Sequence, residues 1–192
     1  MPATVSAAGS RSVEWPVVHR VSVVGATGAG KSRLAGELAR RLGVPHIELD
    51  AIYHQPNWTP LPAEEFRAAV RDLAAGPGWV IDGNYSTVWD LVASRADSVV
   101  VLDLSRWQVT SQLLVRTLRR AVTGQELWNG NREELGNLLS RDPDRNILLW
   151  SWTTHTKIRQ RYRAAARDPR WSKLRFVRVG SRREARTLGR GG

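Results

Sequence analysis

The chain has 192 residues, a length that suits one domain with a core large enough to need no disulfide or metal staple. It contains no cysteine, which excludes a disulfide framework and any thiolate metal site, and no apolar run approaches the roughly 20 residues of a membrane span. The formal charge of +11 is almost wholly arginine, with Lys31, Lys157 and Lys173 the only lysines. Arginine grips phosphate bidentately, so this balance fits a phosphorylated ligand, nucleic acid, or a composition bias with no ligand at all.

In chain order, residues 1–16 lack the basic start and apolar stretch of a secretory signal and read as a flexible tail. With the absence of cysteine this fits a cytoplasmic protein. Residues 17–190 then read as the folded domain. Val17 to Val24 is a β-branched strand that stops at a glycine-rich turn. From Lys31, Leu34, Leu38 and Leu42 recur every four residues, a helix that Gly43 ends. His46 to Asp50 reads as a strand, Tyr53 to Pro62 as a loop, and Ala63 to Ala75 as a helix. Trp79 to Ile81 and Ser98 to Leu104 are apolar enough for strands covered on both faces. Arg106 to Val122 is helical and Thr123 to Arg132 a mobile loop. A long helical stretch, interrupted near Asp142-Pro143, runs from Glu133 to Ala166. Leu174 to Val179 is a last strand and Arg183 to Leu188 a closing helix. Five strands alternating with helices predict an α/β fold with a parallel sheet.

The turn is Gly25-Ala26-Thr27-Gly28-Ala29-Gly30-Lys31-Ser32, followed by Arg33, and it satisfies G-x-x-x-x-G-K-[ST] with a strand before and a helix after. Its glycines let successive N–H groups converge on phosphate oxygens, and the helix adds its positive end. Lys31 would reach the β- and γ-phosphates of a nucleoside triphosphate, and the Ser32 hydroxyl would ligate Mg2+. Three aspartates end strands on the rim where α/β sheets gather ligands. Asp82 is placed to orient the metal and Asp50 to accept a proton from a substrate hydroxyl, unless each simply caps the turn or helix that follows it. Asp103 reads as a turn and helix start.

These pieces resemble the adenylate-kinase-like group of P-loop proteins, over about residues 17 to 188. The segment Trp79-Val80-Ile81-Asp82-Gly83-Asn84-Tyr85-Ser86, with Leu49-Asp50 and Ala96-Asp97, is similar more particularly to bacterial DNA-topology-modulation-protein-like, adenylate-kinase-related ATPases. The resemblance implies a three-layer fold with strand order 2-3-1-4-5, ATP and Mg2+ as cofactors, a substrate segment at 50–76 and a lid at 120–134. It also implies that arginines near the lid clamp the transferring phosphoryl group, a position Arg116, Arg119 and Arg120 match, although three arginines on one helix face also suit solvent. Adenylate kinases follow Asp-Gly with Phe-Pro-Arg, where this chain has Asn84-Tyr85-Ser86, so the acceptor is not legible.

Other groups carry less. His155, Arg159, Tyr162 and Arg163 form one helical stripe, read as solvated, phosphate-facing or nucleic-acid-facing. Arg132 lies in the lid. Tyr53, Trp58 and Phe66 either sandwich a planar substrate group or anchor their loop. His19, His46 and His54 share no metal-ligand spacing. The expected function is transfer of the ATP γ-phosphoryl to a small acceptor, with a nucleic-acid-associated ATPase as the alternative. Nothing in the sequence fixes the oligomeric state.

Overall fold

The computed structural model describes residues 5–6, 19–131, 142 and 146–190. In chain order its elements are β1 (Val5–Ser6), β2 (Arg20–Gly25), α1 (Lys31–Leu42), β3 (His46–Glu48) and α2 (Leu49–Tyr53). Next come α3 (Ala63–Ala74), β4 (Trp79–Asp82), α4 (Trp89–Ala93), β5 (Ser98–Leu102) and α5 (Arg106–Thr123). The chain closes with α6 (Ile147–Ala165), β6 (Arg175–Val179) and α7 (Arg182–Arg190). The five anticipated strands lie parallel in the order β3-β4-β2-β5-β6, and Val5–Ser6 pairs beyond β6 at the edge. That edge pairing has no sequence signal, because two residues cannot show a periodicity.

Alternation along the strands builds three layers. Val21 and Val23 of β2, with Val100, Val177 and Val179, pack against Leu34, Ala35 and Leu38 of α1 and Leu188 of α7. On the opposite face Val24, Val99 and Phe176 meet Tyr162 and Ala166, while Trp79 and Ile81 meet Phe66, Val70 and Ala74 of α3. Full burial of each leucine or phenylalanine contributes roughly 1.5–3 kcal/mol. The leucine spacing of α1 is thereby explained, and Gly43 ends the helix in the left-handed conformation at φ 67°. Ser105 and Gln108 cap α5 reciprocally.

Several readings need correction. The second strand stops at Glu48, and Leu49 turns the chain into α2, so Asp50 lies in the first turn of a helix and not at a strand end. The stretch taken as a loop contains the end of α2 and a 3-10 turn at Pro56–Trp58. β5 ends at Leu102, and Ser105, not Asp103, caps the next helix. Of the helical stretch expected from 133, residues 133–141 lie outside those described, and α6 begins at Ile147 behind an Asn146 side-chain cap. No described helix is long and apolar enough to cross a membrane.

Candidate active site

β2 delivers the chain to the glycine turn at the sheet centre. Gly25 (φ 149°) lies so close to β5 that a Cβ there would come within 2.8 Å of the Leu102 Cβ. Gly28 (φ 90°) is pressed equally hard on α5, with Leu113 Cβ at 2.8 Å from the same hypothetical atom. Gly30 caps α1 at φ 92° with no side-chain hydrogen bond, so the first-turn N–H groups of α1 keep their donors for an anion. The turn closes on itself through Ala29 N–H donating to the Ala26 carbonyl at 3.0 Å.

Lys31 turns back under this loop, its Nζ 3.4 Å from the Ala26 carbonyl. Burial lowers the lysine from its ordinary value, the carboxylates of Asp50 and Asp82 raise it, and Arg116 of α5 lowers it. One ammonium, two carboxylates and one guanidinium from four separate elements thus share a single electrostatic neighbourhood. Asp82, at the end of β4, is almost fully buried, and its Oδ2 sits 3.4 Å from His46 Nε2. That hydrogen bond raises His46 above the usual imidazole value, against the opposite effect of burial. Asp50 accepts a hydrogen bond of 2.7 Å from the Tyr85 hydroxyl. Burial first, and then the Asp50 charge, push the Tyr85 phenol far above its ordinary value, so it stays a donor.

The Mg2+ expected beside Ser32 and Asp82 finds a donor set consistent with it. Ser32 is exposed in the first turn of α1, Asp82 ends β4 with a hard oxygen donor whose charge acts on the adjoining Lys31, and no group of three metal-ligating His, Cys, Asp or Glu side chains occurs among the described residues. Magnesium needs no such cage when phosphates and water complete its shell.

One expected residue stands apart from the cluster. Arg33 is 70% exposed and pairs with Glu37 on the outer surface of α1. Arg120 lies one turn beyond Arg116, where its carbonyl closes the C-terminus of α5. Arg132 lies outside the described residues, as does the end of the 120–134 lid. The described part of that loop is tied down on residues 48–58. Trp128 Nε1 donates to Glu48, the Asn129 amide donates to the Ala51 carbonyl, and Asn131 joins the Gln55 carbonyl to the Trp58 N–H. Tyr53 and Phe66 pack on each other and on Tyr85, which makes them anchors of the loop.

Three residues important to the site escaped sequence reasoning. Asn84 accepts from Gly25 N–H at 3.1 Å and donates to the Gly25 carbonyl, bracing the entry to the turn from the next strand. Ser151 of α6 is buried and donates to the Thr27 carbonyl at 2.8 Å. Tyr85 orients Asp50. Only Asn84-Tyr85 carried a signal, the departure from Phe-Pro-Arg after Asp82-Gly83. The stripe on α6 turns inward: His155 bonds the Leu104 carbonyl, Tyr162 is buried, and Arg159 and Arg163 pair with Asp103.

Neither protein-family models nor curated proteins match the chain. Solved structures do. A shikimate kinase from Acinetobacter baumannii in complex with shikimate superposes with TM-score 0.58 at 14% identity, covering 90% of this chain and 89% of that one. A shikimate kinase from Bacteroides thetaiotaomicron gives 0.53 at 16% identity, covering 90% and 94%. At such identities the likeness is one of architecture. The chain has the three-layer α/β fold of these P-loop kinases, with its glycine turn at the centre of the parallel sheet.

Proposed function

We propose that this chain is a kinase that moves the γ-phosphoryl of ATP to a hydroxyl on a small acceptor. The observation that carries the reading is the Gly25–Ser32 turn at the sheet centre with Lys31 folded under it, its Nζ 3.4 Å from the Ala26 carbonyl and within the fields of Asp50, Asp82 and Arg116. The Gly25–Ser32 backbone would cradle the phosphates, and Lys31 and Arg116 would stabilise charge developing on the γ-phosphoryl oxygens. Asp50, held by Tyr85, would take the acceptor's proton as its oxygen bonds to phosphorus and the bridge to the β-phosphate breaks, leaving ADP. Ser32 and Asp82 would hold Mg2+, which when bound neutralises phosphate charge. The two solved neighbours make a small-molecule acceptor of the kind named for them the first to test.

Asp-Gly-Asn-Tyr-Ser supports a finer placement beside the adenylate-kinase-related ATPases. The nucleic-acid alternative loses support where Arg159 and Arg163 are both engaged by the buried Asp103. Binding of a nonhydrolysable ATP analogue is expected in the parent and lost in Lys31→Ala; unchanged affinity would overturn the proposal. Labelled ATP offered with small hydroxylated acids, sugars and nucleosides then identifies the acceptor.

A further inference from the structure

Between α6 and the C-terminal ends of β5 and β6 lies an open cavity of about 290 Å3. Four guanidiniums line it, Arg159, Arg163, Arg167 and Arg178, against one carboxylate, Asp103. Asp103 is 3% exposed on its side chain and is shared three ways: Arg163 at 3.2 Å and Arg178 at 2.7 Å on Oδ2, and Arg159 on Oδ1. A carboxylate balances one guanidinium, so the cavity keeps a marked excess of positive charge. Each guanidinium also carries five N–H donors, far more than two carboxylate oxygens satisfy. The paired arginine side chains stay between 37% and 51% exposed, with their outer N–H groups at the mouth.

The inner wall is of a different kind. Tyr162 and Phe176 are buried behind the arginines and present apolar surface to the cavity. Charged donors at the rim over an aromatic floor suit a small molecule with an anionic head and an apolar body. A bare ion would leave the floor wetted, and a duplex backbone would not enter a cavity of this size.

We propose that this cavity is a second ligand site, built from residues other than those of the P-loop, that binds a small phosphomonoester with an aromatic or apolar body. Its head would be held by Arg163, Arg167 and Arg178, while Asp103 fixes the guanidiniums in the planar, forked presentation that phosphate accepts. None of these residues belongs to the nucleotide cluster, so the site does not depend on the kinase reading.

Phenyl phosphate titrated calorimetrically into Lys31→Ala tests it, because that background removes the P-loop lysine. One molecule is expected to bind, and Arg163→Ala/Arg167→Ala added to that background should weaken it by about tenfold or more per arginine. Asp103 retains Arg159 and Arg178 in this variant, and an unchanged circular dichroism melt would show that the fold survives. The exposed single change Arg167→Glu should weaken binding as well. Inorganic phosphate should bind more weakly than its phenyl ester. No binding to Lys31→Ala, or equal binding with and without the arginine pair, would overturn the site. So would an arginine-dependent affinity for a DNA duplex with none for phenyl phosphate.

Discussion

Asn84 shows how one side chain holds a loop that must itself carry no side chains. Its amide satisfies both backbone groups of Gly25, at the point where β2 opens into the phosphate turn. Asn84→Ala would leave those groups without this partner and should cost about 1–3 kcal/mol in urea unfolding. It should also weaken ATP-analogue binding; intact affinity would show that the turn needs no brace. His54 acts through protonation. Burial holds its imidazole below the ordinary value of 6.5, with Asp50 pulling the other way. A depressed folded pKa means that this contribution to stability is full above about pH 6.5 and is lost as the pH falls through the folded value. His46, raised by Asp82, has the opposite sign: its contribution is full at low pH and fades as the pH rises through its folded value. Unfolding free energies of parent and His54→Gln should therefore diverge in slope below pH 6.5, with the variant less acid-sensitive. Parallel curves would remove His54 from this role.

Among elements, α5 and α6 set the shape of the phosphate turn. Gly28 touches Leu113, Thr27 is held by Ser151, and Arg161 and Tyr162 reach Asn84 at 3.4 Å. Gly28→Ala would set a Cβ against Leu113 and demand a φ of +90° from an L-residue, moving turn and helix together. We expect a loss of about 1–3 kcal/mol in stability and a larger proportional loss of analogue affinity. An ATP-binding isotherm identical to the parent's would contradict this coupling. The clasp of Trp128, Asn129 and Asn131 on Glu48, Ala51 and Gln55 belongs to the same scale, since it joins elements more than seventy residues apart. No local pattern announces such a clasp, which is why the loop read as mobile.

Across the whole molecule, metal and fold are predicted to be separable. No cluster of three metal-ligating His, Cys, Asp or Glu side chains occurs among the described residues. If Ser32 and Asp82 hold Mg2+ only together with the phosphates, as proposed, a chelator should leave the melting temperature unchanged without nucleotide and lower it with ATP present. A chelator-induced drop in the absence of nucleotide would show a structural metal instead. The strand-and-helix alternation and the P-loop were legible in the sequence, because a glycine turn between an apolar run and an amphipathic helix is a local pattern, whereas the central place of the turn came only with the strand order that the family resemblance implies. Leu34 and Leu38 announced the buried face of α1 for the same reason, and Lys31 and Ser32 are bound by covalent spacing to the loop they serve. What only the tertiary structure decided is who meets them. Asp50 moved from a strand end into α2 beside Tyr85, Asp103 became the hub of three arginines, and the α6 stripe turned inward. Backbone chemistry is written in neighbouring residues, whereas the partner of a charge depends on which elements the sheet order brings alongside.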